Sequence, residues 1–239
     1  MIIEGLTTAY NPLDKGNLGV SVREALLKQP IGFMSDLLRK TGTRTYCNKF
    51  AGAGTYAIYY TGNFQAYKVI AEQNRDEKFE APIYVGKAVP QGARKGGLLD
   101  STKGTEALFK RLRTHARSIQ EVSNLDLADF YFRYLIVDDI WIPLGETYMI
   151  EKFQPVWNKV GGFGNNTPGK RRKDQFMSEW DTVHPGRSYV AKLSLPPNLK
   201  TSAQIVREIE NYLVLPQEEK AKLPVVDDGE PEQGDEPDM

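Results

Sequence analysis

"GTYAIYYTGNF" at residues 54–64 and "APIYVGKA" at residues 81–88 are two short β-type runs, each setting a tyrosine against a glycine. In the first, Tyr56, Ile58 and Tyr60 alternate with Ala57 and Tyr59. A strand over about 55–61 therefore puts the two sets on opposite faces. The second run predicts a strand over about 82–88. Glycine weakens a strand interior unless something must approach closely, so Gly54 and Gly86 mark a place where backbone or substrate comes near. The intervening residues 62–80 are polar with a helical centre, "QAYKVIAEQNRDEK".

The surrounding chain supplies helices and one more strand. Residues 1–18 read as irregular. "SVREALLKQPIGFMSDLLRKTG" (21–42) has helical periodicity interrupted by Pro30, which predicts two short helices or a kink. "TEALFKRLRTHARSIQEV" (105–122) is the clearest helix, with Leu108, Leu112, Ala116 and Ile119 forming an apolar stripe. "DFYFRYLIVDD" (129–139) reads as a third, largely buried strand, and "PLGETYMIEKFQPVWN" (143–158) as a helix stopped before Pro155. A glycine-rich loop over 159–173 ends in four cations, Lys170, Arg171, Arg172 and Lys173. Thr201 and Gln204 form a capping box opening a helix over 201–213. The fold class is α+β: a small three-stranded antiparallel sheet flanked by helices. Residues 1–50 form an N-terminal extension, 51–190 the core, 191–216 a C-terminal helical segment and 217–239 a tail.

The 239 residues are 40% apolar, enough for one good core. Lys plus Arg equals Asp plus Glu at 31 each, yet the charge is unevenly spread. Residues 217–239 hold nine acidic and two basic residues, a net of −7, and are expected to be disordered; residues 1–216 carry +7. A basic body with an acidic tail suits a nucleic-acid partner. Cys47 is the lone cysteine, which excludes an internal disulfide and a cysteine-based zinc site and suits an apolar filler in a reducing compartment. No apolar run approaches the ~18 residues of a membrane span, and the N-terminus has no secretion pattern. The expectation is a cytoplasmic protein without a membrane partner.

The chemistry-bearing residues sit near element ends. Arg111 and His115 are four apart on one helix and share a face. Glu146 lies near the start of the next helix, and Asn158 just past its end. With two histidines and one cysteine there is no Ser-His-Asp or Cys-His arrangement, and no G-x-x-x-x-G-K-[ST] phosphate loop occurs. Singly, each residue has an ordinary explanation: packing for Tyr56 and Tyr84, a surface charge for Arg111, a favourable first-turn carboxylate for Glu146, a helix stop for Asn158, a turn for His184.

Taken in order, these residues resemble the GIY-YIG nucleases. Gly54-Thr55-Tyr56 matches the first tripeptide, Tyr84-Val85-Gly86 the second, and Arg111, His115, Glu146 and Asn158 the residues that follow. The stretches "PIYVGKAVP", "SNLDL" and "TPG", with "HPGR" at 184–187, resemble one branch more closely: the type II restriction endonucleases that read the palindrome CCGCGG. Tyr56 and Tyr84 are 28 positions apart, a longer insertion than in compact members and one that branch also carries. The resemblance implies hydrolysis of double-stranded DNA. Tyr56 is then the candidate general base or water activator, and Tyr84 positions water or phosphate. Arg111 donates to phosphate, while His115 orients or accepts from Tyr56. Glu146 is the single metal ligand, for Mg²⁺, and Lys87 is a secondary catalytic candidate. Lys170, Arg171, Arg172, Lys173 and Arg187 are DNA-binding candidates. A homodimer and a cognate DNA methyltransferase are expected as partners. The apolar residues Leu26, Leu27, Phe33, Leu37 and Leu38 and the 62–80 insert are candidate dimer surfaces. The competing readings are a structure-selective nickase or repair nuclease, and a non-catalytic DNA-binding protein on a nuclease scaffold.

Overall fold

The computed structural model describes residues 15–41, 45–46, 48–90, 104–163 and 176–226. Cys47 and the cations 170–173 lie outside the described residues. No described helix is long and apolar enough to cross a membrane.

The first tyrosine strand is the centre of the molecule. β4 (Gly54–Tyr60) pairs antiparallel with both β5 (Pro82–Ala88) and β6 (Phe130–Ile136), and β1 (Gly32–Phe33) adds to the far side of β6. The three expected strands thus form the sheet, and a two-residue fourth extends it. Every residue of β4 is buried, which its run of aromatic and β-branched side chains suits on a strand covered on both faces. The alternation divides as the sequence predicts. Tyr56, Ile58 and Tyr60 enter one core cluster; Ala57 and Tyr59 enter the other.

Helices cover both faces. On the Tyr56 face lies α3 (Ala107–Glu121), whose stripe Leu108, Leu112, Ala116 and Ile119 is fully buried. The same face carries α5 (Val156–Lys159), α6 (Glu179–Val183) and α8 (Ser202–Val214); α8 has the predicted Thr201–Gln204 capping box. On the opposite face lie α1 (Lys15–Leu27) and α4 (Ile142–Phe153), through Leu26, Met149 and Ile150. The helix over 143–158 stops before Pro155 as expected: Gln154 adopts a left-handed conformation (φ 48°), and the short α5 follows. A small hairpin, β2 (Lys40–Thr41) with β3 (Thr45–Tyr46), precedes the sheet.

One expectation changes. The N-terminal segment is helical from Lys15, and after Pro30 it forms β1 and a 3₁₀ turn at Met34–Leu38 in place of a second α-helix. Its Leu26 and Leu37 are buried in the core, Leu27 and Leu38 are half-buried, and Phe33 is exposed. The 62–80 insert does contain a helix, α2 (Lys68–Asn74), but buries Ala66, Tyr67, Ile70 and Ala71 inward as well. Past α7 (Ser188–Lys192) and α8, the tail is ordered as far as it is described. α9 (Gln217–Lys222) is followed by an extended stretch to Val226, whose N–H donates to the Asn158 carbonyl at 2.8 Å, while Lys159 Nζ donates to the Leu223 carbonyl at 2.6 Å.

Candidate active site

The register of β4 on β5 builds the centre of the site. Tyr56 lies opposite Gly86, and Ile58 opposite Tyr84. A Cβ on Gly86 would sit 2.6 Å from Tyr56 Cζ and nearer still to its hydroxyl, so the glycine is the floor on which the phenol lies. The close approach expected at this glycine is made by a side chain of the neighbouring strand. At Gly54 the demand is on the backbone: φ is +152°, and a Cβ would overlap the carbonyl of Leu135 on β6.

From that floor Tyr56 reaches α3. Its hydroxyl makes a 2.7 Å hydrogen bond with His115 Nε2, both residues fully buried. Tyr84 packs beside the pair, its ring centroid 6.2 Å from Tyr56 and 5.2 Å from His115, and Phe163 closes over the imidazole at 4.9 Å. Burial first, then the positive charges of Arg111 and Arg187, hold the His115 imidazole well below its ordinary pKa. His115 is therefore neutral near pH 7. A neutral imidazole nitrogen at 2.7 Å can accept the Tyr56 proton, which an imidazolium could not. Arg111 is half-buried one helical turn before His115.

The carboxylate lies across the sheet. Alternation along β5 sends Tyr84 to one face and Val85 to the other, so Lys87 shares the Val85 face with α4. There Lys87 Nζ meets Glu146 Oε2 at 2.8 Å, the two side chains 26% and 16% exposed. α4 comes close enough for this because Gly145 abuts β4: a Cβ there would lie 3.3 Å from Thr55 Cγ2. Among the described residues no group of three or more His, Cys, Asp or Glu side chains is arranged to hold a metal.

Asn158 works on the backbone. It is 1% exposed; its Oδ1 accepts from Val85 N–H and its Nδ2 donates to Val85 C=O, each at 2.8 Å. This amide caps the open edge of β5 between Tyr84 and Gly86, which makes Asn158 a positioning residue for both.

Arg187 departs furthest from expectation. It is 3% exposed, with Nε on Asp181 Oδ1 and Nη2 on Asp181 Oδ2 at 2.7 Å, so its guanidinium is buried against Asp181 and not displayed as a surface cation. Burial is possible because Asp181 supplies a matched bidentate partner. His184 is likewise no exposed turn residue. Asn124 Nδ2 donates to the Val183 carbonyl, which leaves Asn124 Oδ1 facing His184 Nδ1 at 2.9 Å. Nδ1 then carries the proton, and Nε2 accepts from the Tyr67 hydroxyl at 2.7 Å. Burial and then Arg187 lower the His184 pKa to about 3. Sequence reasoning missed this second Tyr–His pair and the Asp181 anchor, because nothing in local spacing links Tyr67 to a histidine 117 positions away.

Known families account for the arrangement. No curated protein matches the chain. Residues 48–213, more than half of its length, match the family described as the Eco29kI GIY-YIG domain. A tyrosine from each of two paired strands, packed around a helix-borne histidine, is what those residues build, and the chain belongs to this GIY-YIG restriction endonuclease family.

Proposed function

We propose that the chain is a type II restriction endonuclease, hydrolysing phosphodiester bonds at a palindromic site in double-stranded DNA with Mg²⁺ bound at Glu146. Family membership makes DNA the partner and nuclease chemistry the activity. The buried 2.7 Å contact between Tyr56 and His115 is the observation that supports the mechanism best. A phenol has an ordinary pKa of about 10 and is a poor base alone. Handing its proton to neutral His115 Nε2 lets the Tyr56 oxygen take one from the attacking water. The water oxygen bonds to phosphorus as the bond to the 3′ oxygen breaks. Arg111 offers donors to the phosphoryl oxygens, and Tyr84 orients the water or phosphate.

Glu146 fits a divalent cation of the Mg²⁺ type: one hard, partly exposed carboxylate is what a mostly hydrated ion takes. When bound, Mg²⁺ would stabilise charge on the leaving oxygen. Lys87, already against Glu146, would hold that carboxylate in place. Lys170, Arg171, Arg172 and Lys173 are proposed phosphate contacts. The target CCGCGG and a cognate methyltransferase rest on the resemblance of "PIYVGKAVP" and "HPGR" to the branch with that specificity. A homodimer follows from the target, because a two-fold palindrome is read most simply by a two-fold protein with one site per chain.

The experiment is digestion of a sequenced plasmid with Mg²⁺ and with EDTA, with the fragment ends mapped, for the wild type and Glu146→Ala. Discrete fragments ending at one palindrome, lost in EDTA and in the variant, are expected. Cleavage only at branched or damaged DNA would favour a structure-selective nuclease; binding without cleavage would leave a nuclease scaffold that binds DNA.

A further inference from the structure

We propose that Arg187 is a positioning residue for the Tyr56–His115 pair: anchored in the core by Asp181, it is a fixed cation behind the imidazole. This rests on the mechanism above, in which His115 must be neutral to accept from Tyr56.

The anchoring is complete on the acid's side. Asp181 accepts from Arg187 Nε and Nη2, from Ser178 Oγ at 2.6 Å and from the Tyr189 hydroxyl, and is 2% exposed. The guanidinium also stacks, 4.6 Å from the Trp180 ring and 4.9 Å from Tyr189. Trp180 lies 4.9 Å from Phe163, and Phe163 lies 4.9 Å from His115. A continuous stack thus runs from the cation to the imidazole. The turn carrying Arg187 is also fastened to the end of α3, the helix that bears His115. Ser123 N–H donates to the Pro185 carbonyl at 3.0 Å, and Ser188 N–H to Glu121 Oε2 at 2.7 Å.

A buried ion pair this well satisfied adds little net stability over an apolar replacement, so its retention in an aromatic core asks for another reason. Electrostatics supplies it. Among the described residues, the titratable and charged groups acting on His115 are Tyr56 from β4, Tyr84 from β5, Arg111 on its own helix and Arg187 from the turn before α7; Arg111 and Arg187 both disfavour the imidazolium. Arg111 is half-buried, and in the mechanism proposed above it donates to phosphate, whose charge would offset its own. Arg187, held in place by the fixed Asp181, keeps its bias whether or not DNA is present.

The chain has two histidines, so imidazole NMR titration resolves His115 directly once His115→Gln assigns the signals. Arg187→Gln should move the His115 titration up toward the ordinary imidazole range and shift the acid limb of the cleavage rate the same way, with DNA affinity in EDTA unchanged. Asp181→Asn, which leaves the cation uncompensated, should move both down, and Arg187→Lys should restore the wild-type profile. A merely structural pair would lower melting temperature in both variants without moving the titration in opposite directions. If Arg187→Gln weakens DNA binding and leaves the His115 titration where it was, Arg187 is a phosphate contact and the proposal is overturned. Should Arg187→Gln fail to fold, Asp181→Asn decides alone, and any upward movement refutes the idea. The titration is read on the protein without DNA. Loss of cleavage in every preparation would count against the nuclease reading and leave this one intact.

Discussion

Gly86→Ala tests the geometry of the site at its narrowest point. Gly86 does not need glycine for its backbone conformation; it needs the missing side chain. An added methyl would lie 2.6 Å from Tyr56 Cζ, whereas ordinary contact begins near 3.4 Å, so the ring must retreat by about 0.8 Å. It has nowhere useful to go. The hydroxyl already stands 2.7 Å from His115 Nε2, so movement toward the imidazole is blocked and sideways movement breaks the bond. On the other flank, Tyr84 Cε1 would lie 3.0 Å from the methyl. Overpacking of this kind destabilises by about 1–3 kcal/mol, a survivable loss for a domain of this size. The catalytic effect should be larger, because a misplacement of about 1 Å in a reacting group lowers rates on the order of 100-fold. Single-turnover cleavage at saturating enzyme should therefore fall about 100-fold, with DNA affinity in EDTA nearly unchanged. Adding Tyr56→Phe should relieve part of the stability loss, because the atom nearest the new methyl is then gone. Near-normal cleavage by Gly86→Ala would refute the claim that this phenol, in this position, does the chemistry.

Asn158→Ala leaves the buried N–H and C=O of Val85 without their partner and should lower stability by about 2–4 kcal/mol, read by denaturant melts; Asn158→Asp, which keeps only the acceptor, should not rescue it. Acid should destabilise the fold through its two histidines. Both have folded pKa values below the ordinary 6.5, so the unfolded chain binds more protons as pH falls, and stability is lost below about pH 6.5 at up to about 1.4 kcal/mol per pH unit for each imidazole, for His184 down to about 3. His184→Gln should shallow that slope in pH-dependent melts; an unchanged slope would show that the imidazole is not buried neutral. Truncation after Val226 should leave the melting temperature unchanged, whereas truncation after Pro216 should lower it, because only the second removes the contacts of Leu223 and Val226 with α5.

What was legible in the sequence was whatever repeats locally. The alternation in β4, the stripe of α3 and the Thr201–Gln204 cap each fit within a few residues, and each is found as read. The Tyr56–His115 contact spans 59 positions, beyond any local pattern, and was accessible only because the ordered set of residues resembles a family. What stayed hidden depends on tertiary pairing. β1 is two residues long and exists because Gly32 and Phe33 fall opposite Phe132 and Tyr131. Arg187 reads as a surface cation until Asp181, six residues earlier in the chain, is seen to receive it. Asn158 reads as a helix stop, and its partner Val85 is 73 positions away.

The spacing of the second motif follows from strand geometry. Residues two apart on a strand share a face, so a glycine opposite Tyr56 and a tyrosine two positions before it put the Tyr84 ring beside the Tyr56 phenol that Gly86 accommodates. The residue between must then face the other way, as Val85 does, and Lys87 after it meets Glu146 there. A slip of one residue would exchange the two sets and dismantle both halves of the site at once. β5 is an edge strand with a register shift opposite Ile58/Tyr59, which is where such a slip is least resisted. Two asparagines oppose it. Asn74 bridges the Tyr60 carbonyl and both backbone groups of Ala81, closing the insert at the start of β5, and Asn158 holds both backbone groups of Val85 on its open side. Each substitutes for a missing neighbouring strand at one residue, so the register that sets Tyr84 beside Tyr56 is fixed from outside the sheet.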